Sequence, residues 1–139
     1  MKLLTREIEK KFEKYPLYSQ DGKGKDAKVL VKFFNPYGAG TWIITEASRE
    51  GDDWLMFGWT DMGYGWEAGY ISYNELASIK IRLGRYEFGL ERDIHIRSDA
   101  KVGDFVKDSW LDDDPMPEDD DPMWDALQAQ GVNDVVTVR

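Results

Sequence analysis

The chain has 139 residues, with 27 acidic and 18 basic side chains, one histidine and no cysteine. This length is typical of a single domain, and 42% apolar residues are enough to form one hydrophobic core. The lack of cysteine excludes disulfides, thiolate metal sites and thiol catalysis, and a single histidine excludes two-histidine metal motifs. Charges interrupt the first apolar stretch, so we expect no signal peptide, no membrane span and a cytoplasmic protein.

The acidic charge is concentrated near the C-terminal end. Residues 1–98 carry 15 basic and 15 acidic side chains, whereas residues 99–139 carry 3 basic and 12 acidic ones. Residues 108–125 contain nine carboxylates and no lysine or arginine. Such a run repels itself and disfavours regular structure. We therefore predict an α+β globular domain at residues 1–103 and an acidic extension at residues 104–139.

A helix is predicted at the start of the domain. Apolar side chains from Leu4 to Tyr15 recur at spacings of three and four, as on one face of a helix. Thr5 is a suitable N-cap, and Pro16 ends the pattern. The helix is therefore expected over residues 5–15.

Strands are predicted in the next part of the chain. Residues 29–34, 41–46 and 54–59 are rich in β-branched and aromatic side chains and are separated by turn-type sequences. A fourth, shorter strand is expected at residues 69–72, after a glycine-rich turn. These runs indicate an antiparallel meander.

A second helix and a fifth strand complete the predicted domain. Ser72 and Glu75 form a capping box, so the helix is expected to begin at Tyr73 and to end near Gly84. Alternation from residue 90 to residue 97 then predicts a strand. The fold class is α+β: a small antiparallel sheet of about five strands with two helices packed on one face.

Catalytic chemistry has one candidate location. Alternation would place Glu91, Asp93 and His95 on one face of the last strand, where they could meet Glu46 or Glu67 from neighbouring strands. Paired carboxylates with an imidazole can perform acid–base chemistry when partly buried. The alternative is that these charges simply cover the solvent face of an antiparallel sheet.

Cofactor and metal motifs are not found. The sequence has no phosphate-binding GxxxxGK[ST] loop, and the glycine cluster at residues 63–69 has the composition of a β-turn. The aspartate runs after residue 111 lack the spacing and glycine of a calcium loop. We expect no cofactor and no metal.

Aromatic residues suggest a binding role at one loop. Eleven of the aromatic side chains lie between Phe33 and Tyr73, and most of them are expected in the core. Tyr64 and Trp66 lie in a glycine-rich turn, where exposed rings favour contact with a partner. Their flanking residues are acidic or neutral, so direct nucleic-acid binding is not the favoured role.

The acidic extension combines carboxylates with large apolar side chains. Residues 122–130 have the pattern of a short helix that begins after an Asp-Pro pair. A purely solvating tail needs no tryptophan, so we favour docking onto a basic, partly apolar surface over a merely tethered extension. The residues expected to bind are Trp110, Leu111, Asp112, Asp113, Asp114, Glu118, Asp119, Asp120, Asp121, Trp124 and Leu127.

Several ordered stretches resemble a known family. The chain contains MKLLTREI, VKFFNPYGAGTWIITE, EAGYISYNEL and GLERDIHI. In this order they are similar to an uncharacterised bacterial family, a domain of unknown function carried on plasmids, conjugative elements and phages. The resemblance covers roughly residues 1–97 and departs in the extension after Asp99. It implies an accessory role on a mobile element and supplies no activity or catalytic residues.

Three functional hypotheses follow from these features. The favoured one is a non-enzymatic accessory protein of a phage or plasmid that binds a basic surface of a host or defence protein through its acidic extension, with nucleic-acid mimicry as one form of this role. The second is a hydrolase or nuclease that uses the sheet-face carboxylates. The third is a nucleic-acid-binding module that uses exposed aromatic side chains, which requires a positive patch on the domain.

Overall fold

The computed structural model describes residues 2–107, and everything said below about the structure concerns that range. The elements are α1 Arg6–Lys14, β1 Val31–Phe34, β2 Thr41–Glu50, β3 Asp53–Asp61, β4 Trp66–Ser72, α2 Tyr73–Ala77, β5 Ile81–Leu83, β6 Tyr86–Phe88 and β7 Glu91–Arg92. The main sheet has five antiparallel strands in the order β4-β3-β2-β1-β7, and β5 and β6 form a separate hairpin. The predicted α+β fold is confirmed.

The first helix forms as its sequence pattern predicts. The side-chain oxygen of Thr5 accepts a hydrogen bond from the backbone N–H of Ile8 at 3.2 Å, which satisfies a free donor in the first turn. Ile8 and Phe12 are buried on the face that contacts the sheet. The ring of Phe12 meets the ring of Trp54 edge to face, with centroids 5.2 Å apart. This contact joins α1 to β3.

The helices share one face of the sheet. Leu76 of α2 belongs to the same buried cluster as Ile8 and Phe12 of α1. The sheet contributes side chains that alternate along each strand, because residues two apart on a strand point to the same face. These are Val31, Phe33, Trp42, Ile44, Ala47, Trp54 and Met56.

A β-bulge interrupts the central strand. Ile44 pairs with Gly58 and Glu46 pairs with Phe57, so Thr45 is an extra residue in β2. A Cβ atom at Gly58 would collide with the backbone carbonyl oxygen of Ile43. The bulge therefore needs glycine at position 58. The bulge also lets the Glu46 side chain point away from the helices.

The second face of the sheet is also covered. The backbone N–H of Val29 donates to the carbonyl of Ala100, and that of Val102 donates to the carbonyl of Ala27, both at 2.9 Å. Lys32 of β1 lies 5.5 Å from the centre of the Phe105 ring. The segment after β7 is therefore fastened alongside the stretch that enters β1, and Phe105 lies near Lys32. Buried apolar residues outside the helix-side core are Ala27, Val29, Ile43, Ala100, Val102 and Val106.

Two predicted elements differ from the structure. The second helix begins at Tyr73 as expected but ends at Ala77, and Gly84 is part of a hairpin turn with φ +65°. The predicted strand over residues 90–97 is reduced to Glu91–Arg92. The main sheet nevertheless has the five strands that were predicted, which are β1 to β4 and β7.

The compact unit that contains the sheet includes residues up to Lys107. Val106 is buried within it. No helix in the described range is both long and apolar enough to cross a membrane. The predicted helix at residues 122–130 lies outside the described residues.

Candidate functional site

Glu46 is a buried anchor for the loop that follows α1. Its side chain is 3% exposed. One carboxylate oxygen accepts the backbone N–H of Tyr18 at 2.8 Å, and the other accepts the backbone N–H of Gln20 at 2.9 Å. Tyr18 has a φ of 74°, which is uncommon for a residue with a side chain, so the loop needs such a restraint. The arrangement suits structural anchoring.

Gln20 extends this anchor to the strands. Its side-chain amide donates to the carbonyl of Thr45 at 2.7 Å and to the carbonyl of Lys28 at 2.9 Å. Its side-chain oxygen accepts the backbone N–H of Lys28 at 2.7 Å. Every polar atom of this buried side chain therefore has a partner, as stable buried polar groups require. Glu46 and Gln20 together hold the loop of residues 16–28 against the sheet.

The two predicted sheet glutamates lie on opposite faces. Glu46 pairs with Phe57, which pairs with Tyr70, and directly paired residues share a face. Glu67 is three residues before Tyr70 on the same strand, so it points to the other face. Its side chain is exposed. The expected meeting of Glu46 and Glu67 does not occur.

Glu91, Asp93 and His95 do not share a strand face, because β7 ends at Arg92. A carboxylate oxygen of Asp93 accepts the backbone N–H of His95 at 2.8 Å, which turns the chain away from the sheet. The other oxygen lies 3.5 Å from the ammonium group of Lys32. His95 is exposed.

Together these placements leave the hydrolase hypothesis without its expected geometry. Within residues 2–107, no three Asp, Glu or His side chains come close enough together to hold a metal ion. The five candidates are instead distributed over two sheet faces and a turn.

Tyr64 is at the tip of the loop between β3 and β4. Its side chain is 97% exposed, as the sequence predicts. The carboxylate of Asp61 accepts the backbone N–H groups of Gly63 and Gly65 at 2.7 and 3.3 Å, which shapes the loop. Trp66 differs from the prediction, because it is half-buried and is the first residue of β4 rather than part of the turn. Tyr64 is thus the exposed ring of the pair.

A network of hydrogen bonds around Asp53 joins β3 to α2. Partial burial raises the pKa of Asp53, but hydrogen bonds from the Ser72 hydroxyl and from the backbone N–H groups of Asn74 and Trp54 lower it by more. The Ser72 hydroxyl donates at 2.6 Å and in turn accepts the backbone N–H of Glu75 at 3.2 Å. Ser72 is therefore confirmed as the N-cap of α2, and Asp53 is an additional member of the hydrogen-bond network around it.

The β5–β6 hairpin is the main feature that the sequence reasoning missed. The ring of Phe88 lies 4.8 Å from that of Tyr37 and 6.5 Å from that of Tyr86, measured between centroids. Tyr37 is 48% exposed and Tyr86 is 63% exposed. Lys80 and Arg85 are exposed beside this aromatic row. A signal was present in the sequence: Gly84-Arg85 separates two triplets that each alternate apolar, charged, apolar, which is typical of a hairpin with glycine first in its turn.

A groove adjoins the aromatic row. Its volume is about 500 Å³, and it opens between the start of the chain, α2 and the residues after β6. Burial raises the pKa of Tyr73 in its wall, with a smaller contribution from Glu9. Two ammonium groups, one carboxylate and two aromatic rings give it mixed chemistry. The lining residues are Lys2, Leu3, Tyr73, Ala77, Lys80, Phe88, Gly89, Leu90 and Glu91.

The residues predicted to bind in the acidic extension, from Trp110 to Leu127, lie outside the described range. Comparison with known families places them in context. The profile of one family, described as a protein of unknown function (DUF2958), matches residues 3–122. The chain belongs to the DUF2958 family. No curated protein and no solved structure matches the chain.

The extent of the DUF2958 match corrects the expected resemblance. The sequence motifs indicated a similarity over about residues 1–97, with the acidic extension as a departure. The match instead continues to residue 122, so it includes Trp110 and the carboxylates of residues 112–121. Most of the acidic run therefore lies within the DUF2958 region of the chain.

Proposed function

We propose that this DUF2958 member is a non-enzymatic interaction protein that binds a basic protein surface through its acidic extension. The observation that carries the proposal is the separation of charge along the chain. Residues 104–139 contain 11 acidic and 2 basic side chains, whereas residues 1–103 contain 16 of each. The entire net charge of −9 therefore belongs to the extension.

The physical role of this charge is attraction and orientation. A concentrated negative field speeds the encounter with a basic surface, and the rate then falls as salt screens the charges. Charge alone gives little specificity, whereas tryptophan side chains are frequent anchors of protein interfaces. Trp110 and Trp124 are the proposed anchors between the carboxylate runs.

The nature of the partner follows from the same chemistry. A dense row of carboxylates presents the charge sign of a phosphate backbone, so a nucleic-acid-binding protein is the proposed partner class. The resemblance to a domain family carried on plasmids, conjugative elements and phages supports a host or defence protein as that partner. In this proposal the extension acts as a nucleic-acid mimic.

A capture experiment tests the proposal. The full chain is immobilised and exposed to a bacterial lysate at about 0.1 M salt, where charge attraction is only partly screened. The test variant replaces seven carboxylates, Asp112–Asp114 and Glu118–Asp121, by the corresponding amides. A second test variant carries Trp110→Ala and Trp124→Ala. The matched control replaces seven exposed carboxylates of the domain in the same way, namely Glu7, Glu13, Asp21, Asp26, Glu50, Asp52 and Glu67.

The proposal predicts that specific proteins are captured by the full chain and by the matched control but by neither test variant. Raised salt and added duplex DNA should both release them, because both compete for the same basic surface. Equal capture by the seven-amide variant and the matched control would exclude the acidic extension as the binding element.

A second candidate function is binding of single-stranded nucleic acid on the β5–β6 hairpin. The observation that favours it is the row of rings formed by Tyr37, Phe88 and Tyr86, with Lys80 and Arg85 exposed beside it. Exposed rings stack on bases, and neighbouring cations attract phosphates. In this candidate, Lys80 and Arg85 would supply the positive charge that the third sequence hypothesis requires.

Fluorescence anisotropy with a labelled oligothymidylate tests the second candidate at low salt. Tyr86→Ala and Arg85→Gln should each weaken binding several-fold, because each removes one stacking or phosphate contact. Tyr64→Ala is the control, since Tyr64 is an even more exposed ring on a different loop. No change in anisotropy for the unaltered chain would exclude this function.

A further inference from the structure

The outer edge of β4 has no partner strand within residues 2–107. The sheet order places β4 at one end, next to β3 alone, whereas the free side of β1 is covered by β7. β4 has seven residues and pairs with β3 without a register shift. An edge of this length exposes a row of free backbone N–H and C=O groups.

The β4 edge lacks the usual features that prevent strand pairing. Natural proteins protect open edges with lysine, proline or a bulge. β4 contains none of these, and its only charged residue is Glu67. Ala68 and Tyr70 are exposed on it, and a Cβ atom at Gly69 would meet no other atom within 4 Å. The edge is therefore open to an approaching strand.

Exposed apolar side chains adjoin the same edge. Tyr70 is 55% exposed, and its hydroxyl donates to the hydroxyl of Tyr18 at 3.3 Å. Tyr18 is itself 64% exposed. In the loop that leads into β4, Met62 is 48% exposed and Tyr64 is 97% exposed. A strand that pairs with β4 would cover part of this surface, which adds apolar burial to the backbone hydrogen bonds.

We propose that the β4 edge pairs with the β4 edge of a second copy of this chain. The pairing is antiparallel with Gly69 on the two-fold axis, because this register joins all seven residues of each strand. It is independent of the acidic extension and of the partner proposed above. The product is a ten-stranded sheet that continues across two copies.

The sequence of β4 is self-complementary in this register. Ala68 faces Tyr70 of the second copy, so a small side chain lies beside a large one on each side of the axis. Glu67 faces Ile71 of the second copy, so the two carboxylates are not directly opposed. Like charges directly opposite each other would destabilise the pair. This self-complementarity favours a second copy over an unrelated extended peptide.

Sedimentation of the full chain over a wide concentration range tests the proposal. About 0.3 M salt is used so that repulsion between two acidic extensions is screened. We expect a monomer–dimer equilibrium, and Ala68→Lys should raise its dissociation constant by about tenfold, because a lysine then lies on each side of the axis. Ser98→Lys is the control, since Ser98 is exposed and follows β7 at the opposite end of the sheet.

Single-cysteine variants test the register, because the chain contains no other cysteine. Directly opposed residues of antiparallel strands have Cα atoms about 4.5 or 5.5 Å apart, which a disulfide can bridge. Gly69→Cys should therefore form a disulfide-linked dimer under mild oxidation. Ala68→Cys should do so much less, because residue 68 then faces residue 70 of the second copy.

A monomer at every concentration, with no cross-link through Gly69→Cys, would overturn the proposal. So would a dimer that Ala68→Lys leaves unchanged. The proposal would also be overturned if the chain stays monomeric and its β4 edge pairs with a different protein instead. That pairing would be detected because Ala68→Lys abolishes binding of the other protein.

Discussion

Replacing Glu46 by alanine tests whether this buried carboxylate anchors the fold. The substitution removes both acceptors that the backbone N–H groups of Tyr18 and Gln20 use at 2.8 and 2.9 Å. Glu46 is 3% exposed and Gln20 is also 3% exposed, so water has little access to the released donors. The loop of residues 16–28 would have to move or leave these groups unsatisfied.

The expected magnitude follows from these two hydrogen bonds. A bond to a charged acceptor contributes roughly 1.5–3 kcal/mol to the free energy of unfolding, so loss of the two bonds in Glu46→Ala should lower that free energy by about 3–6 kcal/mol. Glu46→Gln keeps one acceptor but turns an amide donor towards the other N–H group. Its expected loss is smaller, about 2 kcal/mol. A domain with a typical stability of about 5–15 kcal/mol would be strongly affected by the alanine variant.

Urea unfolding followed by far-UV circular dichroism measures this effect. The three chains to compare are the unaltered protein, Glu46→Ala and Glu46→Gln, with the slope of the transition held common. Glu67→Ala is the control, because Glu67 is exposed and its removal should change stability by less than about 0.5 kcal/mol. If Glu46→Ala unfolds at the same urea concentration as Glu67→Ala, the anchoring role is refuted.

Three further predictions test other parts of the fold. Gly58→Ala should lower the free energy of unfolding by more than about 3 kcal/mol or fail to fold, because its Cβ would collide with backbone. Gly69→Ala is the control, since its Cβ lies in open space and should change that free energy by less than about 1 kcal/mol. Urea unfolding compares the two variants. Phe12→Ala should lose about 3–5 kcal/mol, visible as a lower melting temperature, since Phe12 is fully buried. The lowered pKa of Asp53 means that its stabilising effect is present above the unfolded pKa of about 3.9 and is lost as pH falls through the folded pKa. The stability difference between the unaltered chain and Asp53→Asn should therefore be larger at pH 7 than at pH 2, and equal differences would contradict the hydrogen-bond assignment.

The helix starts and the first strands could be predicted because their sequence signals lie within a few neighbouring residues. Thr5 and Ser72 were identified as N-caps because capping depends on residues three positions apart, and both accept the expected backbone N–H. The strands β1 to β3 were found because apolar and β-branched residues run along them. The order of these elements was enough to indicate an α+β fold with helices on one face.

The misassigned region shows where local patterns are ambiguous. Leu76 and Ile79 have a spacing that fits a helix, so the helix was extended towards Gly84. In the structure Ile79 and Ile81 lie beyond the end of the helix and are partly buried against the core. The chain turns at Gly84. Short apolar runs fit either period, and only tertiary contacts decide between them.

The candidate site was less predictable than the fold for a different reason. The alternating pattern from Glu91 to Arg97 had the period of a strand, but Asp93 uses its side chain to bond the backbone N–H of His95. Such a local bond competes with strand pairing and is not visible in hydrophobic periodicity. The bulge at Thr45 likewise changes which face Glu46 occupies, and a bulge leaves no mark in the alternation of this sequence.

The central position of β2 has a practical consequence for finding a partner. Its residues 42–47 are all buried, since helices cover one face of the sheet and the loop of residues 16–28 is held against Thr45 and Glu46 on the other. Amide protons in such a strand exchange with solvent mainly through global unfolding. Any ligand that binds only the native state raises the global free energy, by about 2.7 kcal/mol at a hundred times its dissociation constant. The β2 amides therefore report the binding of any partner that requires the folded domain, even when it docks far from β2.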